Sequence, residues 1–66
     1  MELCVNGEKL HLRDGATISE LLVKYKLEPV RVAVELNRAI VPKKAYPNTG
    51  LKSGDTVEIV TFVGGG

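Results

Sequence analysis

The sequence predicts an α+β domain in which one main helix packs on one face of a four- to five-stranded mixed sheet. Three features carry this prediction. An Asn6-Gly7 pair separates two alternating segments, a single amphipathic stripe begins at Ile18, and two β-branched runs fill the second half of the chain. At 66 residues the chain is one domain. A domain of this size buries only about 60% of the surface its unfolded chain exposes, which leaves room for one two-layer core and none for a deep pocket.

The first element is a hairpin, MELCVNGEKLHL. Asn-Gly is the strongest short hairpin signal because both turn positions need positive φ. A two-residue turn at Asn6-Gly7 sets Val5 opposite Glu8, Leu3 opposite Leu10 and Met1 opposite Leu12. These residues share one sheet face, and Glu2, Cys4, Lys9 and His11 share the other. The next segment, RDGATISELLVKYKL, turns at Asp14-Gly15 and then starts a helix. Thr17 followed by Glu20 is a capping-box signature. Ile18, Leu21, Leu22 and Tyr25 fall at i, i+3, i+4 and i+7, one apolar stripe able to cover the hairpin. Pro29 limits the helical region.

Strands are predicted at about Arg31–Leu36 and Ala39–Val41, with a turn at Asn37-Arg38. The unbroken run Val32-Ala33-Val34 suits a buried strand. PKKAYPNTGLKSGD reads as a long connection punctuated by Pro42, Pro47, Gly50 and Gly54, with Leu51 as its plug into the core. TVEIVTFV is the last strand, placed centrally and parallel to the first. Alternation around Glu58 turns Val57, Ile59, Thr61 and Val63 inward and Val60 and Phe62 outward.

Composition excludes several classes of function. The 9 basic and 8 acidic residues leave a formal net charge of +1, without the basic surface that phosphate neutralisation requires, so no nucleic acid is expected as partner. The single cysteine, Cys4, allows no internal disulfide, and the single histidine, His11, suggests no metal site. No apolar stretch reaches the roughly 20 residues that span a bilayer. The N-terminal segment alternates and then turns, unlike a signal peptide. A cytoplasmic protein away from the membrane is expected.

The catalytic inventory is thin. His11 has no sequence neighbour to orient it and reads as a solvated strand residue. Cys4 reads as a small half-buried hydrophobe, although Lys9 across the hairpin would favour its thiolate. Lys43-Lys44 reads as a solvated loop face. What remains is the end of the chain, TFVGGG. Three glycines with no helix after them are not a phosphate loop. They offer a slim backbone and a carboxylate unhindered by any Cβ on Gly66. With a pKa of about 3.3–3.7 it is ionised at neutral pH and inert until activated, for example as an acyl-adenylate. An activating enzyme would take such a chain end through a narrow channel, which glycine permits. The competing reading is a frayed terminus.

In sum, the Asn6-Gly7 hairpin, GATISELL, VAVELNRAIVPKKAY, LKSGDTVEIV and the final FVGGG resemble the ThiS family, the sulfur carriers of thiamine biosynthesis. The resemblance covers essentially the whole chain. It implies a ubiquitin-like β-grasp domain over residues 1–63 and a flexible tail over 64–66. It also implies that the protein is a co-substrate and not an enzyme. An E1-like, ThiF-like adenylyltransferase would use ATP and magnesium to adenylate Gly66. Persulfide sulfur from a cysteine desulfurase would replace AMP and leave a thiocarboxylate, and a ThiG-like thiazole synthase would take the sulfur. Gly64 and Gly65 map to the lead-in that threads into partner active sites, and no cofactor is bound by the carrier itself. Val60 and Phe62, exposed beside the glycines, are the expected partner-binding surface. The alternatives are a related carrier for molybdopterin or tRNA thiolation, a ubiquitin-like modifier joined to lysines, a β-grasp binding module with an incidental tail, and a small enzyme using Cys4 or His11.

Overall fold

The computed structural model describes residues 1–62. Its strands are β1 (Glu2–Val5), β2 (Glu8–His11), β3 (Val32–Leu36), β4 (Ala39–Val41) and β5 (Thr56–Thr61), and its helix is α1 (Ile18–Lys24). They form one five-stranded sheet in the order β2-β1-β5-β3-β4. β5 lies at the centre, parallel to β1 and antiparallel to β3. The first hairpin has the predicted register, Leu3 opposite Leu10 and Val5 opposite Glu8.

One face of this sheet carries the core. Leu3, Val5, Val32, Val34, Val57 and Ile59 point into it from the strands, and Ile18, Leu21 and Leu22 from the helix. Fully burying one such side chain contributes roughly 1.5–3 kcal/mol. The helix starts where the Thr17 hydroxyl accepts the Glu20 N–H at 3.3 Å. The reciprocal half of the capping box is not made, because the Glu20 carboxylate is taken by the Arg13 guanidinium. The Ile18 N–H, a further unpaired group of the first turn, donates to Thr49 O at 3.1 Å.

Several expectations are corrected. Tyr25 is not part of the buried stripe. It caps the helix and stays 40% exposed, because Lys26 adopts φ 58° and turns the chain back. The N–H groups of Lys26 and Leu27 then bond Val23 O at 3.0 Å and Leu22 O at 2.9 Å, a Schellman motif with lysine where glycine is usual. β3 begins at Val32, since Pro29–Arg31 forms a 3-10 turn. Thr61, the last residue of β5, lines a cavity with Ile59, Tyr25 and Leu27 but is exposed. Val63 lies outside the described residues.

The connection after β4 also holds more structure than expected. Lys43–Asn48 forms a 3-10 helix, and its Tyr46 is 1% exposed, among the largest fully buried side chains. Leu51 plugs the core as predicted. The connection is fastened to the start of the helix by Leu51 N–H donating to Ala16 O at 2.8 Å.

Two outcomes follow from this core. Leu21→Ala should cost about 2–5 kcal/mol in urea unfolding, the range for a truncated buried leucine; a change within about ±0.5 kcal/mol is that of a surface site. Burial raises the Tyr46 phenol above its ordinary pKa, with hydrogen bonding to the Val34 backbone opposing the shift. The fold therefore favours the neutral phenol. This contribution is complete below the unfolded pKa of about 10 and is lost as pH rises above it, since the unfolded chain gives up the proton first. Tyr46→Phe should lose less stability than the native protein between about pH 9 and about pH 11. Parallel pH profiles would show that the phenol does not titrate with unfolding.

Candidate functional site at the end of the central strand

The site is built around the course of β5, and two asparagines help to fix it. Asn6 and Gly7 adopt φ 50° and 83°, as the two-residue hairpin turn requires. The Asn6 side chain then reaches β5, where its Oδ1 accepts Ile59 N–H at 2.7 Å and its Nδ2 donates to Ile59 O at 3.2 Å. Asn37, at φ 50° in the β3–β4 turn, does the same from the other side. Its side-chain Oδ1 accepts Thr56 N–H at 2.9 Å and its backbone N–H donates to Thr56 O at 2.8 Å, while its Nδ2 donates to Asp55 Oδ1 at 3.0 Å. Each turn thus adds a carboxamide rung to the backbone ladder of β5.

At the far end of the strand Phe62 N–H donates to Arg31 O at 2.8 Å. Four residues follow Phe62. Their covalent reach is at most about 14 Å. Gly64, Gly65 and Gly66, expected to form the reactive lead-in and end, lie outside the described residues, as does the domain boundary after residue 63.

The face away from the helix carries the other predicted residues. Val60 is 59% and Phe62 48% exposed, as alternation predicts. Val60 pairs with Ala33, and in the next row Glu58 pairs with Glu35, which pairs in turn with exposed Ile40. The face is therefore apolar toward the strand end, with two carboxylates directly opposed beside it. Like charges so placed destabilise a sheet.

Lys43 is exposed, as expected of a solvated loop face, but it is also placed by two contacts. Its ammonium donates to Val32 O at 3.0 Å and lies 5.6 Å from the centre of the Phe62 ring. A signal for this was available. With Leu36 opposite Ala39 and Val34 opposite Val41, continuing the register brings position 43 to Val32.

The other reactive side chains are not assembled. Cys4 is half-buried on the open face, between Lys9 and Thr56 on the neighbouring strands. His11 is 76% exposed with its Nε2 3.8 Å from Glu2. Among the described residues no three His, Cys, Asp or Glu side chains come together to hold a metal ion. A cavity of about 200 Å³ between Asn6, Glu8, Tyr25, Leu27 and Thr61 is smaller than ordinary ligand pockets of about 300–1,000 Å³. No helix among these residues is long and apolar enough to cross a membrane.

Comparison with known proteins identifies the architecture. The ThiS family profile matches residues 2–66. The sulfur carrier protein ThiS of Bacillus subtilis is 43% identical over 65 residues, which span 97% of this chain and 98% of that protein. A thiazole synthase of Paramagnetospirillum magneticum is 41% identical over 66 residues, the whole of this chain but only 20% of that protein's length. The crystal structure of the thiamine biosynthesis protein ThiS from Geobacter metallireducens superposes with a TM-score of 0.84 at 36% identity, each chain covered in full. The shared fold is the ubiquitin-like β-grasp, and this chain belongs to the ThiS family.

Proposed function

We propose that this protein carries sulfur for thiazole formation in thiamine biosynthesis, with the carboxylate of Gly66 as the sulfur acceptor. The observation that carries the reading is the likeness, over almost the full length of both chains, to the Bacillus sulfur carrier. A carboxylate is a poor electrophile, and adenylation gives it a leaving group. A ThiF-like adenylyltransferase, holding ATP and magnesium in its own site, joins AMP to Gly66 and releases pyrophosphate. A persulfide whose sulfur originates at a cysteine desulfurase then displaces AMP to give an acyl disulfide. A second partner thiol attacks the S–S bond, is oxidised to a disulfide and releases the thiocarboxylate, which passes sulfur to a ThiG-like thiazole synthase. A cytoplasmic location fits these ATP-dependent reactions.

The domain's own residues act as the handle. Val60 and Phe62 offer apolar surface within one short segment of Gly66, and Glu35 and Glu58 fit a partner that brings a cation beside it. Gly64 and Gly65 let the chain end enter a narrow active site without the bulk of a Cβ. The thiazole synthase as recipient is supported by the Paramagnetospirillum protein, in which a domain similar to this one forms part of a chain named thiazole synthase. Covalent joining would raise the effective concentration of carrier at that enzyme.

Deleting Gly65 and Gly66 should leave the urea midpoint unchanged and abolish thiocarboxylate formation in a reconstituted adenylation and sulfur-transfer assay. Sulfur transfer to the shortened chain would contradict the reading. Phe62→Ala should weaken docking to the adenylyltransferase by more than about 1 kcal/mol, the threshold for an energetically important interface residue. Its stability should fall much less than that of Leu21→Ala. Unchanged affinity by calorimetry would remove Phe62 from the docking surface.

A further inference from the structure

We propose that Lys43 is a positioning residue of this site. Its ammonium holds Phe62 in place and so fixes the start of the segment that the activating enzyme receives. The activity arm of this inference rests on the sulfur-carrier reading; the structural arm does not.

The geometry is specific. An ammonium has three donors. One is satisfied by Val32 O at 3.0 Å, and the charge lies 5.6 Å from the centre of the Phe62 ring. That distance is within the approximately 6 Å over which a cation is attracted to an aromatic face. The neighbouring carbonyl, Arg31 O, accepts the Phe62 N–H at 2.8 Å. Two consecutive carbonyls at the start of β3 thus hold Phe62 twice, once by its backbone and once through Lys43 by its ring. Phe62 follows the last residue of β5, and its side chain is 48% exposed. A ring already fixed in the free protein loses less rotamer freedom when a partner covers it.

The consequences separate Lys43 from an ordinary surface charge. It contacts Phe62 and not the reacting carboxylate, so its loss should affect capture of the carrier and not the chemical step. Lys43→Met keeps most of the aliphatic stem and removes the cation. Lys43→Arg keeps a cation that stacks on aromatic rings and donates hydrogen bonds. The adjacent exposed Lys44, changed to Met, is the control.

The test has two readouts. In adenylation assays with the cognate ThiF-like enzyme, Lys43→Met should raise the KM for the carrier by about fivefold, the scale of one exposed cation–π contact or hydrogen bond. The value of kcat should stay unchanged, and Lys43→Arg and Lys44→Met should behave as the native protein. By NMR, the Lys43 ε-methylene protons should be shifted upfield by the ring current of Phe62, and Phe62→Leu should abolish the shift. Amide exchange of Phe62 should be several-fold faster in Lys43→Met alone. A native KM in Lys43→Met, or equal losses in Lys43→Met and Lys43→Arg, would overturn the proposal, as would ε-methylene protons at their ordinary shift. A native carrier that is never adenylated would overturn the sulfur-carrier reading instead. The ring-current shift and the Phe62 exchange rate would then decide the role of Lys43 by themselves.

Discussion

β5 has a neighbour along both of its edges, and the remaining architecture depends on that placement. β1 supplies a parallel ladder on one side and β3 an antiparallel ladder on the other. Both flanking strands belong to tight hairpins, and each hairpin turn sends an asparagine carboxamide onto the β5 backbone. A turn asparagine is favoured for the positive φ it tolerates. Here the same residue also supplies the hydrogen bonds that neighbouring strand residues would otherwise have to make. The strand that leads to the end of the chain is thereby hydrogen-bonded along both edges.

This placement divides the two sheet faces into a core face covered by the helix and an open face. Val57 and Ile59 of β5 turn toward the helix and enter the core, while Val60 turns away and remains open. One strand therefore anchors the domain with alternate residues and leaves the remainder on the open face. The opposed Glu35 and Glu58 carboxylates are a local cost on the open face. Lys43 belongs to the same arrangement, since it ties the connection after β4 to Phe62.

The sequence made much of this legible, for identifiable reasons. Asn6-Gly7 determines a register, and the register determines which residues of β1 and β2 face the core. Alternation about Glu58 assigns Val60 and Phe62 to the open face. Tyr25 was misleading because the apolar stripe continues past the point where the helix stops, and the stop uses Lys26 in a conformation that glycine would have signalled. Tyr46 was illegible because its burial comes from a 3-10 helix folded across the core from a segment rich in turn residues. The contact of Lys43 with Phe62 joins residues distant in sequence through a side chain that, taken alone, resembles any other surface lysine.

The central claim is that this domain exists to present one carboxylate for exchange of oxygen by sulfur. The most direct measurement is the intact mass of the protein purified from its own cells under conditions that block alkylation and hydrolysis. The account predicts a population heavier by the difference between one sulfur and one oxygen atom, with fragmentation placing the difference at Gly66. A single unmodified mass in cells actively making thiamine, or a sulfur located at Cys4, would contradict it.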